Sequence, residues 1–261
     1  MSLAHRIHYW LTILMLPALL AACGSTDSAD LTVATIGGGD DPFEKGVRLS
    51  VAGQLVRAST AEGLVAFDEE SRVIPAVAER WIVTDDGQSY IFRLRSGTWR
   101  DGTPISSKSV VTALNASIRA LRGTSLGLDL GGIDEIRDRA GRVVEIRLTQ
   151  PMPYFLQILA QPELGLLHGG KGVGPMQMER EGDMAILTPI QPEELGLPPI
   201  ADWKLRTRPI YLASWPAKEA VERFNRGEAD IVMGGRIGDF PHSASVGILR
   251  GTIQLDPVIG L

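Results

Sequence analysis

Arg80-Trp81-Ile82-Val83-Thr84-Asp85-Asp86-Gly87-Gln88-Ser89-Tyr90-Ile91-Phe92-Arg93-Leu94 is the stretch that decides the fold. Two short runs rich in β-branched and aromatic residues, Arg80 to Thr84 and Ser89 to Leu94, flank Asp85-Asp86-Gly87. An Asp-Gly pair between two such runs is a hairpin signal, so antiparallel pairing is expected here. Upstream, Leu64 to Phe67 is another extended segment, turned by Asp68-Glu69-Glu70-Ser71, and the whole region reads as an antiparallel meander. Downstream, Ser106 or Ser107 can cap a helix whose Val110, Val111, Leu114, Ile118 and Leu121 form one apolar stripe. That stripe should face the sheet. A second hairpin follows, Gly132 to Arg137 and Val143 to Leu148, turning at Asp138-Arg139-Ala140-Gly141, and then a short helix over Pro153 to Leu159.

On the N-terminal side, Leu31-Thr32-Val33-Ala34-Thr35-Ile36 is a β-branched run stopped by Gly37-Gly38-Gly39-Asp40-Asp41-Pro42. Between Arg48 and Glu62, Leu49, Ala52, Leu55, Val56 and Ala58 recur at helical spacing, with Gly63 placed to close the helix. On the C-terminal side, the Gly-rich stretch Gly169 to Pro175 reads as a crossing between substructures. Strands are expected at Met176 to Arg180, Met184 to Leu187 and Lys204 to Leu212, with a Pro-rich loop from Pro189 to Pro199. A helix over Lys218 to Arg226 is stopped by Gly227, and Ala229 to Met233 reads as a buried strand. Strands and helices mix throughout, which gives an α/β or α+β domain, and there is no repeat at a fixed period.

The first thirty residues carry a different message. Arg6 and two histidines precede an apolar run from Tyr9 to Leu20, the layout of a signal peptide and too short for a spanning helix. The run ends in Leu20-Ala21-Ala22-Cys23-Gly24, which resembles the lipobox of bacterial lipoproteins. Cys23 is the only cysteine of the 261 residues, so an intramolecular disulfide and a cysteine-based metal site are both excluded. Residues 1–23 are expected to be a lipoprotein signal peptide with the mature chain starting at Cys23, 24–30 a flexible tether, and 31–261 the folded part.

Composition narrows the function classes. The 26 basic and 31 acidic residues give a net charge of −5 with no Lys/Arg block, so nucleic acid is not an expected partner. No H-E-x-x-H, G-x-S-x-G, complete P-loop or C-x-x-C is present, and no cofactor, metal site or catalytic residue is expected. Gly169-Gly170-Lys171-Gly172-Val173-Gly174 has neither the Ser/Thr nor the spacing of a phosphate loop. His168 stands alone between the leader and His242, and reads as a loop residue. Asp40-Asp41, Asp85-Asp86 and Glu193-Glu194 each sit in turn-like contexts where solvated carboxylates are ordinary.

An ordered set of segments resembles the first half of the bacterial extracellular solute-binding proteins of family 5, the oligopeptide, dipeptide and nickel-binding components of ABC importers. These are Glu62-Gly63-Leu64-Val65, Pro75-Ala76-Val77-Ala78-Glu79-Arg80-Trp81, Asp85-Asp86-Gly87, Phe92-Arg93-Leu94-Arg95 and Trp99-Arg100-Asp101-Gly102-Thr103-Pro104. Gly172-Val173-Gly174-Pro175 and Phe224-Asn225-Arg226-Gly227-Glu228-Ala229-Asp230-Ile231 continue the series, so the likeness covers about residues 31 to 240. It departs from the family at Lys108 and Ser109, where acidic residues are usual, and at Met176, where an aromatic is common.

The resemblance implies a periplasmic binding protein-like class II fold, represented by its first lobe with an antiparallel subdomain. It implies capture of a peptide or other small solute, nickel in some members, for delivery to an ABC permease in the membrane, without enzymatic activity. Trp99, Asp101, Gly102, Pro104, Gly172, Gly174 and Pro175 then serve the fold, and by position the ligand strip of the first lobe falls at Glu44, Lys45, Gly46 and Val47. The same strip read without the resemblance is a solvated loop. Family members run to about twice this length, so the second lobe is expected to be absent here, through truncation or fragmentation. The chain as given should therefore hold a solute only weakly. The rival reading is a structural or interaction lipoprotein built on half of the binding fold. The expected location is the periplasm or cell surface, anchored by lipid. Mass spectrometry of membrane-fraction protein should show an N-terminal diacylglyceryl-cysteine at Cys23; an intact Met1 terminus, or cleavage elsewhere, would overturn the lipobox reading.

Overall fold

The computed structural model describes residues 30–235. The leader, Cys23, the tether up to residue 29 and His242 lie outside the described residues. In chain order the elements are β1 (Leu31–Ile36), α1 (Val51–Thr60), β2 (Val65–Phe67), β3 (Val73–Pro75), β4 (Ala78–Val83), β5 (Ser89–Leu94), α2 (Ser107–Ala120), α3 (Ser125–Asp129), β6 (Ile133–Arg139), β7 (Val143–Leu148), α4 (Phe155–Leu159), β8 (Met176–Glu181), β9 (Met184–Pro189), α5 (Trp203–Arg206), β10 (Ile210–Trp215), α6 (Ala217–Asn225) and β11 (Ile231–Met233).

The two expected hairpins join into one four-stranded antiparallel sheet, ordered β4-β5-β7-β6. Alternation drives it: Tyr90, Phe92 and Leu94 on β5 and Val144, Ile146 and Leu148 on β7 are buried on one face. Helix α2 covers that face with Val110, Ala113 and Leu114, while Val111 and Ile118 pack at its margins. The helix starts as its sequence suggests, at Ser106, whose side chain accepts from the Ser109 N–H while Ser109 Oγ accepts from the Ser106 N–H. Ser109 thus fills the capping-box position that a carboxylate usually takes.

The second sheet has five strands in the order β11-β1-β10-β9-β8. β1 runs parallel to β10 on one side and to β11 on the other, while β9 and β8 add on antiparallel. Helix α1 buries Ala52 and Val56 against Val33, Leu187 and Leu212 on one face. On the opposite face Ala34, Ala220 and Ala229 form a smaller core under α6.

Several local details differ from the sequence reading. Helix α1 ends at Thr60, because Ala61 turns to an extended backbone (φ −137°, ψ 138°), and not at Gly63. The short strand β3 pairs with β2 around the Asp68 turn, and α3 adds a helical turn after α2; neither was expected. The strand expected over Lys204 to Leu212 splits into α5 and β10. Pro209 cannot donate to a ladder and restrains Arg208, so the strand begins only at Ile210. Strand β11 is shorter than expected and lies at the sheet edge, leaving Ile231 and Met233 partly exposed.

The chain returns from the antiparallel sheet to the mixed sheet through Gly172-Val173-Gly174-Pro175, pressed on the last residues of α1. The Gly174 N–H donates to the Thr60 carbonyl at 3.0 Å. A Cβ on Gly174 would lie 2.4 Å from the Thr60 carbonyl carbon, and one on Gly172 would lie 2.4 Å from Ala61 Cβ. Both positions need glycine because backbone meets backbone there. Gly174→Ala should destabilise the protein by about 1–3 kcal/mol, the range of an overpacked core. Gly131→Ala, where nothing lies within 4 Å, should leave the denaturant midpoint unchanged. Equal midpoints for the two variants would show that the crossing tolerates a side chain.

Candidate functional site

In open sheets with parallel strands, ligands gather in the crevice beyond the carboxyl ends of those strands. Here that end is built by Gly37 after β1, Pro216 after β10 and Gly234-Gly235 after β11. The last ladder bond runs from the Gly37 N–H to the Trp215 carbonyl at 3.0 Å. Just beneath it, Thr35 Oγ1 donates to the Ala213 carbonyl and lies 2.5 Å from Ser214 Oγ, so two buried hydroxyls satisfy one another below the mouth. The loop that follows, Gly37 to Val47, folds across the α1 face of the sheet. Asp41 accepts from the Gly38 N–H at 3.0 Å, and the Arg180 guanidinium lies 3.9 Å over the Phe43 ring while pairing with exposed Asp40 at 3.0 Å.

The strip from Glu44 to Val47 meets the start of α1. Glu44 Oε2 accepts from both the Ser50 N–H (2.7 Å) and the Ser50 hydroxyl (3.0 Å), and Ser50 Oγ in turn accepts from the Gly53 N–H. A carboxylate placed there satisfies donors at the positive end of a helix. Gly46 presents its carbonyl to the buried Arg57, which donates at 2.9 Å from the second half of α1. Burial pulls the Arg57 guanidinium below its ordinary pKa, and nearby Glu163 pushes it back. Val47 packs against the large core, whereas Lys45 and Gly46 are exposed. Of the four residues expected to meet a ligand, two are thus tied into the helix cap and core, and two present themselves to solvent.

The Trp99 to Pro104 turn lies in the antiparallel subdomain. Trp99 is 2% exposed, and its indole N–H donates to Ser109 Oγ at 3.0 Å, which links it to the cap of α2. Gly102 adopts φ +83°, its N–H bonding the Trp99 carbonyl, while the Trp99 N–H bonds the Thr103 carbonyl and Thr98 bridges Pro104. Asp101 Oδ1 accepts from the Thr103 hydroxyl and N–H, and these bonds, helped by His168, hold its carboxyl below the usual range. His168 stacks on Trp99 with ring centroids 5.2 Å apart, its Nε2 lying 3.3 Å from Asp101. Arg100 reaches the crossing and donates to the Gly172 and Gly174 carbonyls at 3.1 and 2.7 Å. Burial lowers its pKa, opposed by Glu194 and Glu62. Pro175 accepts from the Ile190 N–H at 2.9 Å. A guanidinium stays charged in such a setting, and bonds to charged donors are among the stronger ones.

Neither Arg57 nor Arg100 was singled out in the sequence. Their partners are backbone carbonyls, which no residue type announces.

Residues 72–192 match the sequence profile of the bacterial extracellular solute-binding proteins, family 5 Middle. Over that stretch the chain is similar to the family 5 solute-binding proteins. The probable deoxycholate-binding periplasmic protein YgiS of Escherichia coli K12 is 33% identical over 136 residues, 45% of this chain and 25% of that one. The glutathione-binding protein GsiB of Salmonella typhi is 28% identical over 222 residues, covering 82% of this chain and 38% of GsiB. Among solved structures, the periplasmic binding protein DppA of Helicobacter pylori, in complex with the peptide STSA, superposes with a TM-score of 0.63 at 18% identity. That match covers 81% of this chain and 48% of DppA. The chain therefore spans less than half the length of these relatives. The mixed α/β fold expected from the sequence is the one found, and it is shared with periplasmic binding proteins. The relatives are named as binding proteins rather than enzymes.

Trp99→Ala should lower stability by about 3–5 kcal/mol, as for other fully buried large rings. Ser109→Ala, which leaves the indole N–H and the helix cap without their partner, should cost about 1–3 kcal/mol. Thermal and denaturant melts of both variants check this; unchanged melting would move Trp99 from the fold to the ligand.

Proposed function

We propose that this chain forms one wall of the solute-binding cleft of an ABC-importer capture protein. It hands a peptide, or another small solute of similar size, to a membrane permease from a lipid anchor at Cys23. The family match over residues 72–192 carries this reading. The glycine-rich loop at the carboxyl ends of β1, β10 and β11 supports it, since that is where a parallel-stranded sheet leaves room for a ligand. Relatives named for glutathione, itself a small peptide, align over 82% of the chain, which favours peptide-like cargo.

Within that wall, the exposed backbone and side chain of Lys45 and Gly46 are the contact strip, and Glu44 and Val47 hold it in place. Family members close a second wall over the solute, which desolvates its polar groups and fixes its orientation. No step of covalent chemistry belongs to this function, and the periplasm or cell surface is its location.

Uptake of labelled glutathione, a labelled di- to hexapeptide pool and nickel, with and without the gene, tests the proposal. Loss of uptake of one of these is expected, and unchanged uptake of all three would overturn it. Lys45→Glu should reduce that uptake about tenfold while leaving the melting temperature of the purified chain unchanged. Glu44→Ala should instead lower stability by about 1 kcal/mol, because it removes the acceptor of the Ser50 N–H and hydroxyl.

A further inference from the structure

The loop between β9 and β10 presents apolar side chains to solvent. Leu205 on α5 is 85% exposed and Ile200 is 50% exposed, with half-buried Trp203 between them. Together with Gln191 to Glu193 they border an open depression of about 360 Å³. Lys204, Arg206 and Arg208 are exposed on the same segment, and Glu193 and Asp202 are the acids closest to it along the rim. The segment is held in shape. The Leu205 and Arg206 N–H groups bond the Asp202 carbonyl, Thr207 Oγ1 donates to the Trp203 carbonyl at 2.9 Å, and Asp202 turns through φ +57°. An aliphatic pair, an indole and alternating cations on one rigid turn make an interfacial pattern, because the indole and the long basic side chains each join an apolar body to a polar tip.

The position of the turn says what it faces. The Leu31 N–H donates to the Pro209 carbonyl at 3.3 Å, so the point where the chain enters β1 is fixed three residues beyond α5. The tether 24–30 is covalently continuous with Leu31, and a chain of that length reaches at most roughly 25 Å. β1 and β10 run parallel from this end, so the mouth at their carboxyl ends lies at the opposite end of the sheet, about 20 Å away.

We propose that the α5 turn is a membrane-contact surface that seats the anchored protein on a phospholipid bilayer, with Leu205, Ile200 and Trp203 at the headgroup boundary and Lys204 and Arg206 on lipid phosphates. This rests on the lipid anchor at Cys23 proposed above. A lipid anchor on a flexible tether leaves the protein free to tumble, whereas a second interfacial contact fixes its orientation. Seated this way, the chain holds its carboxyl-end mouth away from the bilayer while it captures solute, and it leaves this seat to meet the permease.

The full-length protein, reconstituted in vesicles of phosphatidylglycerol and bromine-labelled phosphatidylcholine, tests the seat through tryptophan fluorescence. Quenching that falls at least twofold in Trp203→Phe, and to the same extent in Leu205→Ser with unchanged melting, is expected. Vesicle-bound protein whose quenching is the same in all three forms overturns the proposal. If mass spectrometry finds no lipid at Cys23, the anchor reading fails by itself. The unmodified full chain is then titrated with the same vesicles to millimolar lipid. Trp203 quenching that Leu205→Ser abolishes would sustain the contact surface without the anchor, and no quenching would end it.

Discussion

The contact of Gly172 and Gly174 with the end of α1 is the constraint on which the two sheets depend. The antiparallel sheet and the mixed sheet have separate cores, and the chain must pass between them at a point where neither can spare volume. It does so by laying backbone directly on backbone, with the Gly174 N–H on the Thr60 carbonyl. Arg100, carried by a turn of the antiparallel subdomain, then donates to the carbonyls of both glycines. A second tie runs alongside, from the buried Arg95 to Glu62 at 3.1 Å and to the Leu195 carbonyl. Partly buried charges are costly when unpaired, and each of these guanidiniums is matched to carbonyls or a carboxylate.

Helix α1 connects that constraint to the mouth. Its C-terminal end receives the crossing, while its N-terminal end is clasped by Glu44 and Ser50, and Arg57 from its middle holds the Gly46 carbonyl. The strip from Glu44 to Val47 is therefore mounted on a helix whose other end is pinned to the glycine crossing. A loop supported in this way presents Lys45 and Gly46 in a fixed position. Trp99 performs a similar service for α2, since one hydroxyl, Ser109 Oγ, serves both the indole and the helix cap.

Local chemistry was legible in the chain itself. The hairpin at Asp85-Asp86-Gly87, the Ser106 cap, the apolar stripe of α2 and the strand at Leu31–Ile36 follow from side-chain alternation, helical spacing and turn residues, all of which act within a few positions. The family resemblance and the mixed fold were legible for the same reason, because the motifs are turns and helix starts. The misplacements fall where short-range patterns carry no information. β10 is flanked by strands on both sides and buries Leu212, Ala213 and Ser214 in succession, so it shows no alternation to mark its start.

Most of the secondary elements, the turn at Trp99 to Pro104, the glycine crossing and the likeness to the family 5 solute-binding proteins could be read from the chain alone. Packing settled the rest: Glu44 binds the capping residue Ser50 instead of standing free, His168 stacks on Trp99, Arg57 and Arg100 bind carbonyls, and Leu205 stands exposed on α5. The physical reason is the range of the interactions. Backbone preference and amphipathic period are encoded by neighbours in the chain. A guanidinium can meet any carbonyl the fold brings within about 3 Å, and which one it meets is settled by packing alone.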